Sequence, residues 1–174
     1  SLKKKFGRFN GWVGYTLSRT ERKIEGINDD NWYAAKQDRT HDLSVVGIYD
    51  LTKKWNVSAT FVLSTGNAVT FPGGKYQVAG QTVSYYPARN SYRMPNYHRL
   101  DIGATYQIKK NNRFESSLNI SVYNAYGRQN AYSIEFKQDP NDPDKTQAIQ
   151  TSLFKWVPSI TYNFKFSVTP KKKK

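Results

Sequence analysis

ITYNFKF, residues 160–166, places Ile160, Tyr162, Phe164 and Phe166 on one side of an extended strand and Thr161, Asn163 and Lys165 on the other. In a water-soluble sandwich the aromatic side would face a core; in a membrane barrel it would face lipid. The surrounding chain is polar, with mean hydropathy −0.77 and formal net charge +14 over 174 residues. Its 37% hydrophobic content is low for a compact globule of that length, yet 15% of the chain is aromatic, including 13 Tyr and 4 Trp. A transmembrane barrel reconciles these figures, because lipid-facing residues alternate with a polar lumen and aromatic rings gather at both interfaces. No apolar run approaches the roughly 18–20 residues of a membrane-spanning helix. Without cysteine there is neither a disulfide framework nor a thiolate metal site.

Working outward from residue 160, the same alternation recurs and helical periodicity does not. RLDIGATYQI at 99–108 separates Leu100, Ile102, Ala104, Tyr106 and Ile108 from Arg99, Asp101, Thr105 and Gln107. FESSLNISV at 114–122 opposes Phe114, Leu118, Ile120 and Val122 to Glu115, Ser117, Asn119 and Ser121. The closing strand is expected over 154–166. Earlier strands are expected at 9–17, 41–49 and 55–63, where Val46 and Ile48 blur the pattern. This gives six long strands, eight if KYQVAGQTVSYY at 75–86 is counted as a hairpin.

The connections alternate in length. Short polar turns fall at 50–56 and 109–113, and long connections at about 19–40, 65–97 and 126–152. In an antiparallel up-and-down order, all short turns lie at one end and all long loops at the other, as in outer-membrane barrels. Lys3, Lys4, Lys5, Lys53, Lys54, Lys109, Lys110, Arg113 and the Lys171–Lys174 tail then cluster at the short-turn end. Such a rim suits anionic lipid headgroups, or simply solubilises turns, and does not call for nucleic acid.

Several stretches, taken together, resemble the C-terminal β-barrel portion of a TonB-dependent outer-membrane receptor of the SusC-like, Bacteroidetes type. They are WVGYTLSRTER at 12–22, DRTHDLSVVGIYDLTKKW at 38–55 and STG at 64–66, followed by ARNSYRMPNYHRLDIGATY at 88–106, VYNAYGRQN at 122–130 and PSITYNFKF at 158–166. The resemblance covers about residues 6–166 and implies a 22-stranded barrel closed by a plug, sited in the outer membrane of a Gram-negative bacterium. It further implies nutrient uptake driven by a TonB-type energy-coupling complex acting through the plug, and a surface lipoprotein partner. Plug and coupling segment are not found in this chain, so residues 1–166 read as a barrel segment of a larger wall and 167–174 as a Lys-rich tail. SLKKKFGRF reads as the end of one strand and a short turn. By resemblance Tyr162, Phe164 and Phe166 form the C-terminal strand that barrel-assembly machinery recognises, although SVTPKKKK follows it.

No catalytic role is expected. His41 and Asp42 are adjacent on a strand and point to opposite faces, His98 and Asp101 are the one other such pairing, and EGINDDN lacks the ligand spacing of a calcium loop. No cofactor and no metal are expected. Arg39, Asp42, Arg99 and Asp101 lie where long loops enter strands and are expected to form ion pairs at the lumen mouth. Candidate ligand-binding residues are Trp32, Tyr33, Tyr85, Tyr86, Arg89, Tyr92, Arg93 and Arg128, with Tyr76, Tyr126 and Tyr132 beside them; the same rings also suit an outer aromatic girdle. Two other readings stay open: a complete eight-stranded outer-membrane adhesion or structural barrel, and a soluble basic β-protein that binds nucleic acid or another polyanion.

Overall fold

The computed structural model describes residues 1–166, with the backbone alone at Phe6, Pro143 and Asp144. Seven strands form one antiparallel sheet in which sequence order is spatial order: β1 Leu2–Phe6, β2 Phe9–Leu17, β3 His41–Asp50, β4 Trp55–Ser64, β5 Tyr97–Lys110, β6 Phe114–Tyr123 and β7 Val157–Phe166. The six long strands are those that alternation predicts. The seventh is the strand end read in SLKKKF. Short turns join β1 to β2, β3 to β4 and β5 to β6. The long connections all leave from the other end. No α-helix occurs among the described residues.

The sheet is open. Its outer strands, β1 and β7, each pair on one side only. The expected 75–86 hairpin forms, as Gly74–Val78 paired with Gln81–Tyr85, but as a separate two-stranded sheet above the wall. A second loop hairpin, Ser133–Asp139 with Asp142–Thr151, lies in the stretch read as a plain connection.

Strand β7 starts at Val157, three residues later than 154. The amide of Asn124 donates to the Lys155 carbonyl, so that carbonyl is bonded to a side chain and not to a ladder partner. Asn124 itself has φ +55°, which ends β6 at Tyr123.

The register shows that the wall is slanted. Gly11, Gly47, Ala59, Ile102, Val122 and Pro158 form one hydrogen-bonded row across β2–β7. Relative to it the first short turn closes two residues below, at Phe9, the second four below, at Trp55, and the third eight below, at Phe114. At the opposite end Leu17 and His41 lie six residues above the row, Ser64 and Tyr97 five, Tyr123 and Val157 one. A drift of five to six residues over four strand steps, at about 3.3 Å per residue and about 4.8 Å per strand, is a slant of about 41–46°. Strands of transmembrane barrels tilt by about 35–45°.

One face of this wall is predominantly apolar, with Lys4, His41, His98, Lys109 and Ser116 its polar exceptions. In register across it lie Phe9, Tyr49, Val57, Ala104, Ile120 and Ile160, and then Val13, Val45, Phe61 and Leu100. Nothing covers it among the described residues: Ile160 is 72% exposed and Phe166 69%. The other face carries small polar side chains that bond across strands, Asn119 to the Thr105 hydroxyl at 2.9 Å and Ser121 to Ser159 at 2.8 Å. Trp12, Val46, Ile48 and Val62 in β2–β4, and Val157 at the start of β7, are its apolar exceptions. Accessible surface totals 13336 Å², against about 8,700 Å² for a compact monomer of this mass. The buried apolar residues among those described, Tyr33, Ala35 and Ala68, all lie in the loops, so the wall has no core of its own.

Candidate functional site

The long-loop end is built differently. Asp38, in the first loop, is 1% exposed and accepts from the Thr20 backbone N–H and from the Arg93 guanidinium of the second loop. Arg93 also donates to the Asp38 carbonyl at 2.8 Å and to the Gly66 carbonyl at 3.4 Å. Burial by itself would push the Asp38 carboxyl up; the bonds from Arg93 and Thr20 outweigh it and hold the group below the usual carboxylate range. The Asn90 amide donates to the Ala34 carbonyl at 2.8 Å, and the Asn28 side chain accepts from the Arg89 N–H at 3.0 Å. First and second loops are thus bolted together, and within the second loop the two ends approach most closely at Gly66. A Cβ there would lie 1.6 Å from the Met94 carbonyl oxygen.

The third loop is held by two asparagines. Buried Asn124 accepts from the Arg128 N–H at 3.2 Å, donates to the Arg128 carbonyl at 2.8 Å and to the Lys155 carbonyl, and its own N–H reaches Asp101 at 2.9 Å. Asn130 exchanges two hydrogen bonds with the His98 backbone, at 3.0 and 3.1 Å. These contacts give a physical reason for VYNAYGRQN: the first Asn closes the strand, and the last clips the loop back to β5.

Between the second and third loops lies a cleft of about 520 Å³ lined by Phe71, Tyr86, Met94, Tyr132, Ile134 and Phe136, with Lys36, Asn67 and Asn90 at its polar margin. Phe71 and Phe136 meet edge to face at 4.9 Å, joining the two loops. Rings with neighbouring amides and one cation suit an amphipathic solute, sugar or peptide.

The expected site residues divide between these structures. Arg99 pairs with Asp101 at 2.9 Å on the polar face, donates to the hydroxyls of Tyr97 and Tyr123, and stacks 4.1 Å from the Tyr123 ring centre. Arg39 instead reaches the Ser64 hydroxyl at 3.4 Å, and Asp42, opposite Thr16 and Ser64, has no ion-pair partner among the described residues. Of the ligand candidates, Tyr86 lines the cleft with Tyr132 beside it, and Tyr92 backs Phe71 at 5.7 Å. Arg93 is committed to Asp38; Tyr33 is buried, with Arg89 5.8 Å above its ring; and Arg128 is held by Asn130 and the Asn96 carbonyl, both at 3.2 Å. Tyr126 bonds His98 at 2.7 Å, while Trp32, Tyr76 and Tyr85 are exposed away from the cleft. Tyr162, Phe164 and Phe166 stand exposed along the β7 edge. The Lys171–Lys174 tail lies outside the described residues.

Asp38, Asn124 and the Phe71–Phe136 contact were not read from sequence. The hairpin that carries Phe136 had a usable signal: SIEFKQ and KTQAIQT flank DPNDPD, a turn-forming run between two alternating segments. No protein-family model, curated protein or solved structure matches this chain.

Proposed function

We propose that this chain forms part of the wall and the outer loops of a TonB-dependent outer-membrane receptor for nutrient uptake. One observation carries the reading: a seven-stranded wall slanted by about 41–46°, one face apolar and uncovered, the other lined with Ser, Thr and Asn. On the apolar face Trp55 and Leu63 are eight residues apart, about 20 Å when resolved along the slanted axis, and aromatics gather beside the short turns. That banding supports a lipid-facing belt, whose height is about 25 Å in outer-membrane barrels.

Open edges at β1 and β7 fit a segment that pairs with further strands of the same wall. The cleft between the second and third loops would be the outer solute contact, shared in the parent with the plug. TonB-type coupling and a surface lipoprotein partner enter through the family resemblance alone.

Single cysteines at Ile120, Ile160, Asn119 and Thr161 test the wall. Each is labelled with an environment-sensitive dye after refolding with phospholipid vesicles. Dyes at 120 and 160 are expected to be quenched from the acyl chains, and those at 119 and 161 by aqueous iodide. Equal behaviour of both pairs overturns the reading. In the producing bacterium, deleting the β3–β4 hairpin, residues 41–64, should abolish growth on at least one limiting nutrient; growth unchanged across a panel of sole nutrient sources overturns the uptake half.

A further inference from the structure

We infer that the short-turn rim is a docking surface for anionic phospholipid headgroups, an inference that rests on the wall reading above. Segments 3–8, 50–56 and 109–115, with Lys165, carry ten lysines and arginines against two carboxylates, Asp50 and Glu115. The rest of residues 1–166 carries thirteen against eleven. Charge is therefore nearly balanced at the loop end and concentrated at the rim. Among the described residues only Lys110 of the ten is in an ion pair, with Glu115 at 3.5 Å.

The cations are placed for lipid and not for a groove. Lys4 lies 5.9 Å over the Phe9 ring, on the register of the apolar face. A bulge between Gln107 and Lys109 sets Lys109 opposite Ser116, the side shared by Phe114 and Leu118. Without the extra residue its ammonium would sit on the polar face. Trp55 and Tyr106, with ring centres 4.8 Å apart, form the aromatic belt next to Lys54. Lysines just beyond such a belt lay their stems along the rings and hold the ammonium at phosphate depth. A nucleic-acid surface would need these charges in one strip, whereas they follow the rim around successive turns.

The test uses this chain with Trp12, Trp32 and Trp156 changed to Phe, so that Trp55 reports alone. It is refolded with phosphatidylcholine vesicles containing about one third phosphatidylglycerol. Bromine is placed on the acyl chains of one lipid or the other. Quenching of Trp55 is expected to be several-fold stronger per mole from brominated phosphatidylglycerol than from brominated phosphatidylcholine. The preference should fall measurably in K54Q and in K109Q, further in the double variant, and collapse at about 1 M salt. Equal quenching by the two lipids overturns the inference and leaves the wall reading standing. Failure of both lipids to quench Trp55 overturns both. Displacement of the chain from the vesicles by a short DNA duplex at equal phosphate concentration overturns the lipid assignment in favour of a general polyanion surface.

Discussion

The loop end and the wall solve the problem of stability in opposite ways. At the loop end, buried polar groups satisfy one another: Asp38 with Arg93 and Thr20, Asn124 with Arg128, Lys155 and Asp101. No buried side-chain polar atom among the described residues is left without a partner. The wall satisfies its backbone by ladder bonds but leaves its apolar face open. On the proposed reading the loop end faces water and the apolar face of the wall meets lipid.

The contrast is sharpened first at its tightest point. Gly66→Ala drives a methyl group into the Met94 carbonyl, and the two ends of the second loop must part. A loss above about 4 kcal/mol is expected, read as lowered denaturant midpoint of the detergent-folded chain. Arg93→Ala strands a carboxylate that is 1% exposed. Breaking such a pair costs about 3–5 kcal/mol when fully buried, and about 3 is expected here because water reaches the Arg93 side. The same pair sets a pH dependence. Asp38 has a folded pKa below its unfolded value of about 3.9, so its contribution is complete above that pH and fades as pH falls through the depressed folded value. Hydrogen exchange at the Thr20 amide should quicken across that window in the parent chain, and Arg93→Ala should flatten the dependence.

The wall is probed by charge. Ile120→Arg, at mid-height on the apolar face, should cost about 2–4 kcal/mol of folding stability in lipid vesicles, while Asn119→Arg on the neighbouring polar face costs less than about 1. Equal costs would erase the distinction between the faces. The smallest effect belongs to Lys110→Gln, whose pair with Glu115 is exposed; less than about 0.5 kcal/mol is expected by chemical denaturation.

The wall was legible in the sequence because a strand's period of two writes each face directly into alternate letters, as in Leu118, Ile120 and Val122 against Asn119 and Ser121. The early strands, where Val46 and Ile48 occupy the polar side, blur that reading most. The loop end was much less legible. Asp38 and Arg93 are 55 residues apart, and nothing local distinguishes Asp38 from the neighbouring acids, or Arg93 from Arg89. Arg93 reads as a ligand contact from its aromatic neighbours, and only the folded loops show it turned inward. Asn124 was quoted within a motif, but its left-handed backbone and its hold on Lys155 depend on a strand that arrives 31 residues later.

The slant of the strands also changes what a row of bonded residues means. Following Phe9, Tyr49, Val57, Ala104, Ile120 and Ile160 along one ladder row is a climb of about 3 Å per strand, some 16 Å in all, and the side chains change from rings to branched aliphatics on the way. On the proposed reading each ladder row is a staircase across the bilayer, so inserting one residue in a single strand would shift chemistry vertically as well as turn it inside out.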